Sequence, residues 1–500
     1  MDSLRHFPLG ARLPESPHSV ISSLPTMADV RGYEEQEPRV IDTLKSGYPR
    51  FVVHEFIRRL IDYYIKREGL ANRAAVLIPN RRAADDLLAW LGQGFEKLEV
   101  EEALYLVFCE AWDEGRSHQL RKFVQHVGCG ISSRQAEDLL ISHGLLSARF
   151  EEPSFEGNAM SQVEQDLAGL IGCRGSDILV CASGMNAFYA GFRAVQEFNL
   201  TRGRSVWLQL GWLYLDSGKI LEHQLLEGES LECIYDISDM DMVIRRIQAL
   251  GKSLGAVVIE CPSNPLVEVG DLNRIAAAVR GQGGVMMVDP TIASVYNVNI
   301  LHHADMLVTS LTKYASIEGD VMIGALAVNP DSPFYGDLIL RTSGYHQPAY
   351  SRDLSRLAYE MQIAPDVLER MNVNARRLTS FLKGHSAVSK VHVAHGSKYA
   401  GEIAKSEGSA GVVITIELSG SMEKFYDAVK VMKGPSFGAR FTLLCPFMYL
   451  AHYDLVTSDE GRAFLTSVGI NPELIRISVG EEDYGDIEAV FCEALDVSIS

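Results

Sequence analysis

The sequence predicts an α/β protein: a large, mainly parallel sheet covered by helices on both faces, followed by a smaller C-terminal α/β domain. Between residue 177 and about 329, short apolar runs (178–180, 206–208, 256–259, 285–288 and 306–308) alternate with helix-like stretches. Uninterrupted apolar strands separated by helices mark a parallel sheet buried on both sides. Beyond about residue 340 the texture changes to one long helical pattern (353–375) and then shorter strands such as 411–416.

In chain order, residues 1–55 are rich in Pro, Ser and charge and lack periodicity, so they read as an extended arm. Within 56–160, Ile57, Leu60, Ile61, Tyr64 and Ile65 recur at helical spacing, and strand-like runs follow at 75–78 and 104–108. This stretch reads as an insert ahead of a large domain over 161–335 and a small domain over 336–500. No internal repeat or low-complexity tract is present.

Five hundred residues, 47% of them hydrophobic, are enough for two or three domains. A net charge of −19 argues against nucleic acid or anionic lipid as a partner, since either would require a basic surface. The eight cysteines are scattered without CxxC pairs, which favours reduced thiols over a disulfide framework or a metal site. No apolar run is long enough to span a bilayer. The first residues have neither a signal core nor an Arg-rich amphipathic pattern, so the expected location is cytoplasmic.

Ligands on a parallel sheet bind at the carboxyl ends of its strands, and the chemically informative residues fall there. The strand 285–288 ends in Asp289, and the strand 306–308 leads to Ser310, Thr312 and Lys313. A lysine and an aspartate on neighbouring strand tips suit pyridoxal phosphate (PLP): the lysine forms a Schiff base, and the carboxylate keeps the pyridine nitrogen protonated. Ser310 and Thr312 are placed to bind phosphate oxygens. Ser183-Gly184-Met185-Asn186 opens a helix after another strand, presenting backbone N–H groups to an anion. Glu260-Cys261-Pro262-Ser263-Asn264-Pro265 ends the strand between, with Asn264 aimed at cofactor or substrate.

As a set these segments, with Asp289-Pro290-Thr291 and Arg476-Ile477-Ser478-Val479-Gly480-Glu481-Glu482, resemble the Cys/Met-metabolism family of PLP enzymes over roughly residues 175–500. The N-terminal segments around Pro17, Ser23, Gly32 and Gly47, the stretch 130–134, and the segments around Phe441 and Ala451 resemble the fungal cystathionine γ-synthase branch. The resemblance implies the PLP-dependent transferase fold of type I and a homodimer or homotetramer with shared active sites. It implies small amino-acid substrates and γ-replacement on an O-acyl-L-homoserine, with cysteine as the first expected nucleophile. Alternatives are a secondary-metabolism variant forming a C–C or C–N bond by the same substitution, and a γ- or β-lyase.

Residue by residue, it makes Lys313 the Schiff-base lysine and proton shuttle and Asp289 the pyridinium partner. Tyr214 would stack on the cofactor ring. Gly184, Met185, Thr291, Ser310 and Thr312 would contribute to holding the cofactor, joined by Tyr48 and Arg50 from a partner subunit. Arg476 would grip the substrate carboxylate, with Asn264, Phe441 and Thr442 also lining the substrate side. Three departures stand out. Leu215 and Asp216 replace two family glycines after Tyr214, and Pro290 replaces an asparagine. Phe441 occupies a position where many relatives carry glutamate, next to Arg440, a cation that would favour a carboxylate-bearing nucleophile.

Overall fold

The computed structural model describes residues 3–48 and 52–500. Its first finding corrects an expectation. The arm is not extended but packed onto the C-terminal domain of its own chain. Helix α1 (Met27–Glu34) starts at Thr26, whose hydroxyl accepts the Asp29 N–H, and it buries Met27, Val30 and Tyr33 in the main core. Tyr426 Oη donates to Leu24 O at 2.7 Å, and Lys433 Nζ donates to Pro25 O at 2.8 Å. Two helical turns are too short to show a periodicity against flanks rich in Pro and charge.

The insert has a small core of its own. Helix α2 (Glu55–Arg67) buries Phe56, Leu60 and Tyr64 against an antiparallel sheet of β1 (Arg73–Ile78), β2 (Glu96–Glu101) and β3 (Leu104–Glu110), in the order β1-β3-β2. Strands β1 and β3 fall on the predicted apolar runs. β2 was not predicted, because Glu-Lys-Leu-Glu-Val-Glu is mostly solvated and offers no continuous apolar run. Helices α3 (Glu114–Val127) and α4 (Ser133–Ser142) follow.

Arg134, in the first turn of α4, fastens the insert to the large domain. Its fully buried guanidinium contacts Glu152 at 2.7 Å and Asp353 at 3.0 Å, and donates to the Asp320 carbonyl at 2.8 Å. Arg134→Met would leave these carboxylates without that cation. We expect a loss of about 3–5 kcal/mol, the range for breaking a buried ion pair, read as a lower urea midpoint.

The large sheet contains β4 (Ile178–Cys181), β5 (Val206–Leu210), β6 (Ser230–Ile234), β7 (Leu254–Glu260), β8 (Val285–Asp289), β9 (Met306–Ser310) and β10 (Gly324–Val328), in the order β4-β10-β9-β8-β7-β5-β6. All five predicted runs are strands. Between β4 and β5 runs helix α5 (Gly184–Arg202), and after β5 comes α6 (Leu215–His223). The sheet is parallel except for β10, which pairs antiparallel with both β4 and β9.

Helix α7 (Ser351–Gly384) runs past its predicted end because Leu378 and Leu382 continue the buried stripe. It leads to a second sheet of β11 (Val388–Val393), β12 (Val413–Leu418), β13 (Met432–Lys433), β14 (Leu443–Cys445) and β15 (Ile475–Ser478), ordered β11-β12-β15-β14-β13. Among the described residues no helix is long and apolar enough to cross a membrane.

Candidate active site

Strands β7, β8 and β9 end side by side, and parallel register aligns Glu260 with Asp289. Glu260 is buried and Asp289 half-buried at the strand tip. Burial raises the Asp289 carboxyl to about 6, against the pull of hydrogen bonds from Thr291, and raises Glu260 well above the usual carboxylate range, helped by the Asp289 charge. Among the described residues neither carboxyl has an ion-pair partner, and a protonated pyridine nitrogen would supply one. Thr291 links this pair to the next strand. Its N–H donates to Asp289 at 2.8 Å, and its Oγ1 accepts the Ser310 N–H at 2.9 Å.

Ser310 faces the start of α5. A Cβ on Gly184 would lie 2.7 Å from the Ser310 Cβ, so only glycine lets these backbones approach. The half-buried Met185 occupies the same first turn, and Ser183 caps it by accepting the Asn186 N–H at 3.0 Å. A capped helix start pressed against a serine at a strand tip suits a phosphate. Thr312 is committed elsewhere: its hydroxyl accepts the Ile323 N–H at 3.2 Å and contacts the Ile323 carbonyl. Tyr214 stands at the N-cap of α6, and its N–H donates to Glu260.

Lys313 is half-buried, and desolvation together with the nearby Arg476 charge holds its amine well below the ordinary lysine range. Nζ donates to Tyr48 Oη and, at 3.1 Å, to Ser436 Oγ, and those two hydroxyls are 2.8 Å apart. Within its own chain Tyr48 thus reaches Lys313, because the arm that carries it is packed onto the C-terminal domain. Arg50 lies outside the described residues.

Arg476, on β15, is 4% exposed, and among the described residues no carboxylate approaches it within ion-pair distance. Its guanidinium donates to Asn264 Oδ1 at 3.1 Å and to the Ser436 carbonyl at 3.2 Å, and lies 4.8 Å from the Phe437 ring centre. A buried cation supplied only with neutral partners and ring faces is a receptor for an anionic ligand.

Phe441 and Thr442 do not stand with it as substrate contacts. Phe441 is core, packed with Phe7, Val20 and Ile21 of the arm, and the Thr442 hydroxyl donates to Glu482 at 2.9 Å. Arg440 is likewise engaged, by Glu318 at 2.6 Å and by Glu481, so its charge is already answered. Sequence reasoning missed Ser436 and Phe437, which sit in a Gly/Pro turn without a strand or helix signal. It named the segment opened by Glu260 but assigned that carboxylate no role.

The match to the Cys/Met metabolism PLP-dependent enzyme model covers residues 154–496, well over half of the chain. The chain belongs to this family. Pyridoxal phosphate is therefore its cofactor, and the carboxyl pair, the glycine-lined helix start and the lowered proton affinity of Lys313 fit it. Within the family, an L-2-amino-4-chloropent-4-enoate dechlorinase/desaturase of Streptantibioticus cattleyicolor is 33% identical, over 97% of both chains. Cystathionine gamma-synthase of Neurospora crassa is 26% identical over 98% of both. Among solved structures, cystathionine gamma synthase from Xanthomonas oryzae pv. oryzae superposes with a TM-score of 0.58 at 22% identity, over 68% of this chain and 86% of that one. At that identity the likeness establishes the fold.

Asp289→Asn gives a test of the carboxyl pair. A carboxyl raised to about 6 by burial makes the folded apoprotein bind more protons than the unfolded chain between about pH 4 and 6. Its contribution to apoprotein stability therefore falls as pH rises through that window. In the variant that fall should be smaller in thermal melts of the apoprotein, with Glu260 supplying what remains, while turnover of the holoenzyme drops about 10²-fold or more.

Proposed function

We propose that the chain breaks the bond between Cγ and a leaving group on an L-2-amino acid. The substrate class is an O-acyl-L-homoserine, and the expected outcome is replacement of the acyl group by a nucleophile such as cysteine, as in cystathionine γ-synthase. The observation that carries this is Arg476, a buried guanidinium lacking a carboxylate, close enough to the Lys313 amine to depress its proton affinity. An amino acid whose carboxylate rests on Arg476 would present its α-carbon toward Lys313.

PLP supplies the electron withdrawal that makes hydrogens on Cα, and then on Cβ, acidic. The protein supplies the rest. Lys313 Nζ, its proton affinity lowered by desolvation, would take the Cα proton, give it up before acting again, and then take a Cβ proton, with the Tyr48 and Ser436 hydroxyls to hold it between transfers. The γ-acyloxy group leaves as a carboxylate with the electrons of the Cγ–O bond. A thiol adds at Cγ while its proton balances the departing carboxylate, and Lys313 returns one proton to Cβ and then one to Cα. Asp289 and Glu260 stabilise positive charge at the far end of the cofactor site.

A second reading is elimination without an incoming nucleophile. Two observations favour it. Arg440 is already paired and Phe441 is covered by the arm, so neither provides an ionic seat for a second amino acid. The Streptantibioticus relative is named for removing chlorine from a 2-amino-4-chloro acid. Mass spectrometry of products from the holoenzyme with O-acetyl-L-homoserine separates the readings, run alone and with cysteine, sulfide or a β-keto acid. A product carrying the nucleophile on the four-carbon unit supports replacement. A product that has lost the acyl group and stays unchanged across the panel supports elimination. An intact ester under every condition contradicts O-acyl-L-homoserine as the substrate class.

A further inference from the structure

The insert lies almost wholly outside the family match, yet one end of it touches the cofactor site at two places. Helix α3 ends at Gly128, in a left-handed conformation (φ 65°). The Gly128 carbonyl accepts the Ser183 hydroxyl proton at 3.0 Å, while the same Ser183 oxygen accepts the Asn186 N–H. A Cβ at Gly128 would fall 2.1 Å from Ser183 Oγ and 2.8 Å from the Asn186 nitrogen, so glycine is needed for conformation and approach alike. The insert thereby completes the hydrogen bonding of the serine that caps α5, beside Gly184.

The second contact is one turn away. Asp216, 1% exposed, lies in the first turn of α6, two residues after Tyr214. Gln125 Nε2 donates to Asp216 Oδ1 at 2.7 Å, and His126 Nε2 lies 3.7 Å from the same oxygen. Burial lowers the His126 ring to about 4, with the Asp216 charge opposing, so at neutral pH the ring is uncharged. The buried carboxylate therefore takes its short hydrogen bond from the Gln125 amide. Leu215 and Asp216 stand where the sequence departs from two glycines of the family, and the insert supplies the partner that the aspartate needs.

We infer that the α3 terminus is a positioning element for the cofactor: Gln125 and His126 fix Asp216 and so the Tyr214 turn, while Gly128 fixes Ser183 and the start of α5. The loop of glycines is replaced by a turn whose rigidity comes from outside the family core. Gln125, His126 and Gly128 act through Tyr214 and Ser183 and are positioning residues. The inference rests on the assignment of Tyr214 to the cofactor face.

The test measures PLP dissociation and the visible circular dichroism of the bound cofactor in the full-length holoenzyme, with thermal melts alongside. Gln125→Ala should speed PLP dissociation about tenfold, the factor expected when a buried carboxylate loses a hydrogen bond, and should change the dichroic band. Asp216→Ala should do the same, and the double variant should be no worse than either single. Asp216→Asn, which can still accept from Gln125, should recover most of both signals. Gly128→Ala should also weaken cofactor retention. If Gln125→Ala melts lower but holds PLP with an unchanged rate and band, the contact is only structural and the proposal falls. Tyr214→Ala separates the two assignments. If it alters the band while Gln125→Ala does not, the role of the insert is wrong; if it leaves the band unchanged, the stacking assignment fails and takes the proposal with it.

Discussion

Lys313→Ala is expected to abolish turnover, by about 10⁴-fold or more, and to remove the visible absorption band of a covalently held cofactor. The size of the effect follows from the site. Nζ is the atom on which Tyr48 Oη and Ser436 Oγ converge, and no other lysine is hydrogen-bonded to these two hydroxyls among the described residues. Desolvation and Arg476 hold its proton affinity well below that of an ordinary lysine, which favours both attack on an aldehyde and proton removal. Ser436→Ala should be milder, since Tyr48 remains. Spectra and single-turnover rates of the purified variants check both expectations.

Arg476→Ala should lower kcat/KM by about 10²–10³-fold, as expected for loss of a buried charge-assisted pair with a substrate carboxylate. Most of that loss should appear as weaker substrate binding. A second effect separates this variant from a merely loosened pocket. Arg476 also depresses the proton affinity of Lys313, so removing it should raise the lysine pKa. A base must be deprotonated to act, so the acidic limb of the kcat profile should move to higher pH. Arg476→Lys should restore the limb position better than the binding, because an ammonium cannot reproduce the two-pronged grip.

The parts of this account that the sequence made legible share one physical origin. Strands buried on both faces must be apolar throughout, so a polar residue at the end of such a run is visible; Asp289, Ser310 and Lys313 were found that way. Strand direction leaves no such mark. Gly324–Val328 is as apolar as its neighbours but runs antiparallel between them. Arg476 was identified by resemblance. The acidic residues that follow it in sequence are used elsewhere, Glu481 by Arg370 and Arg440 and Glu482 by Thr442. Ser436 and the packed arm stayed hidden because both depend on contacts between segments hundreds of residues apart, which local patterns do not encode. The buried Asp216 looked like an unexplained departure until Gln125, from the insert, was found bonded to it.

The central claim is that Lys313 serves two successive carbons, which is what chemistry at Cγ requires and chemistry confined to Cα does not. The most direct test is proton NMR of L-norvaline, an amino acid with no leaving group, incubated with the holoenzyme in deuterium oxide. The account predicts loss of both the Cα and the Cβ proton signals, with neither lost in Lys313→Ala. Exchange at Cα alone would contradict it and place the reaction at the α-carbon.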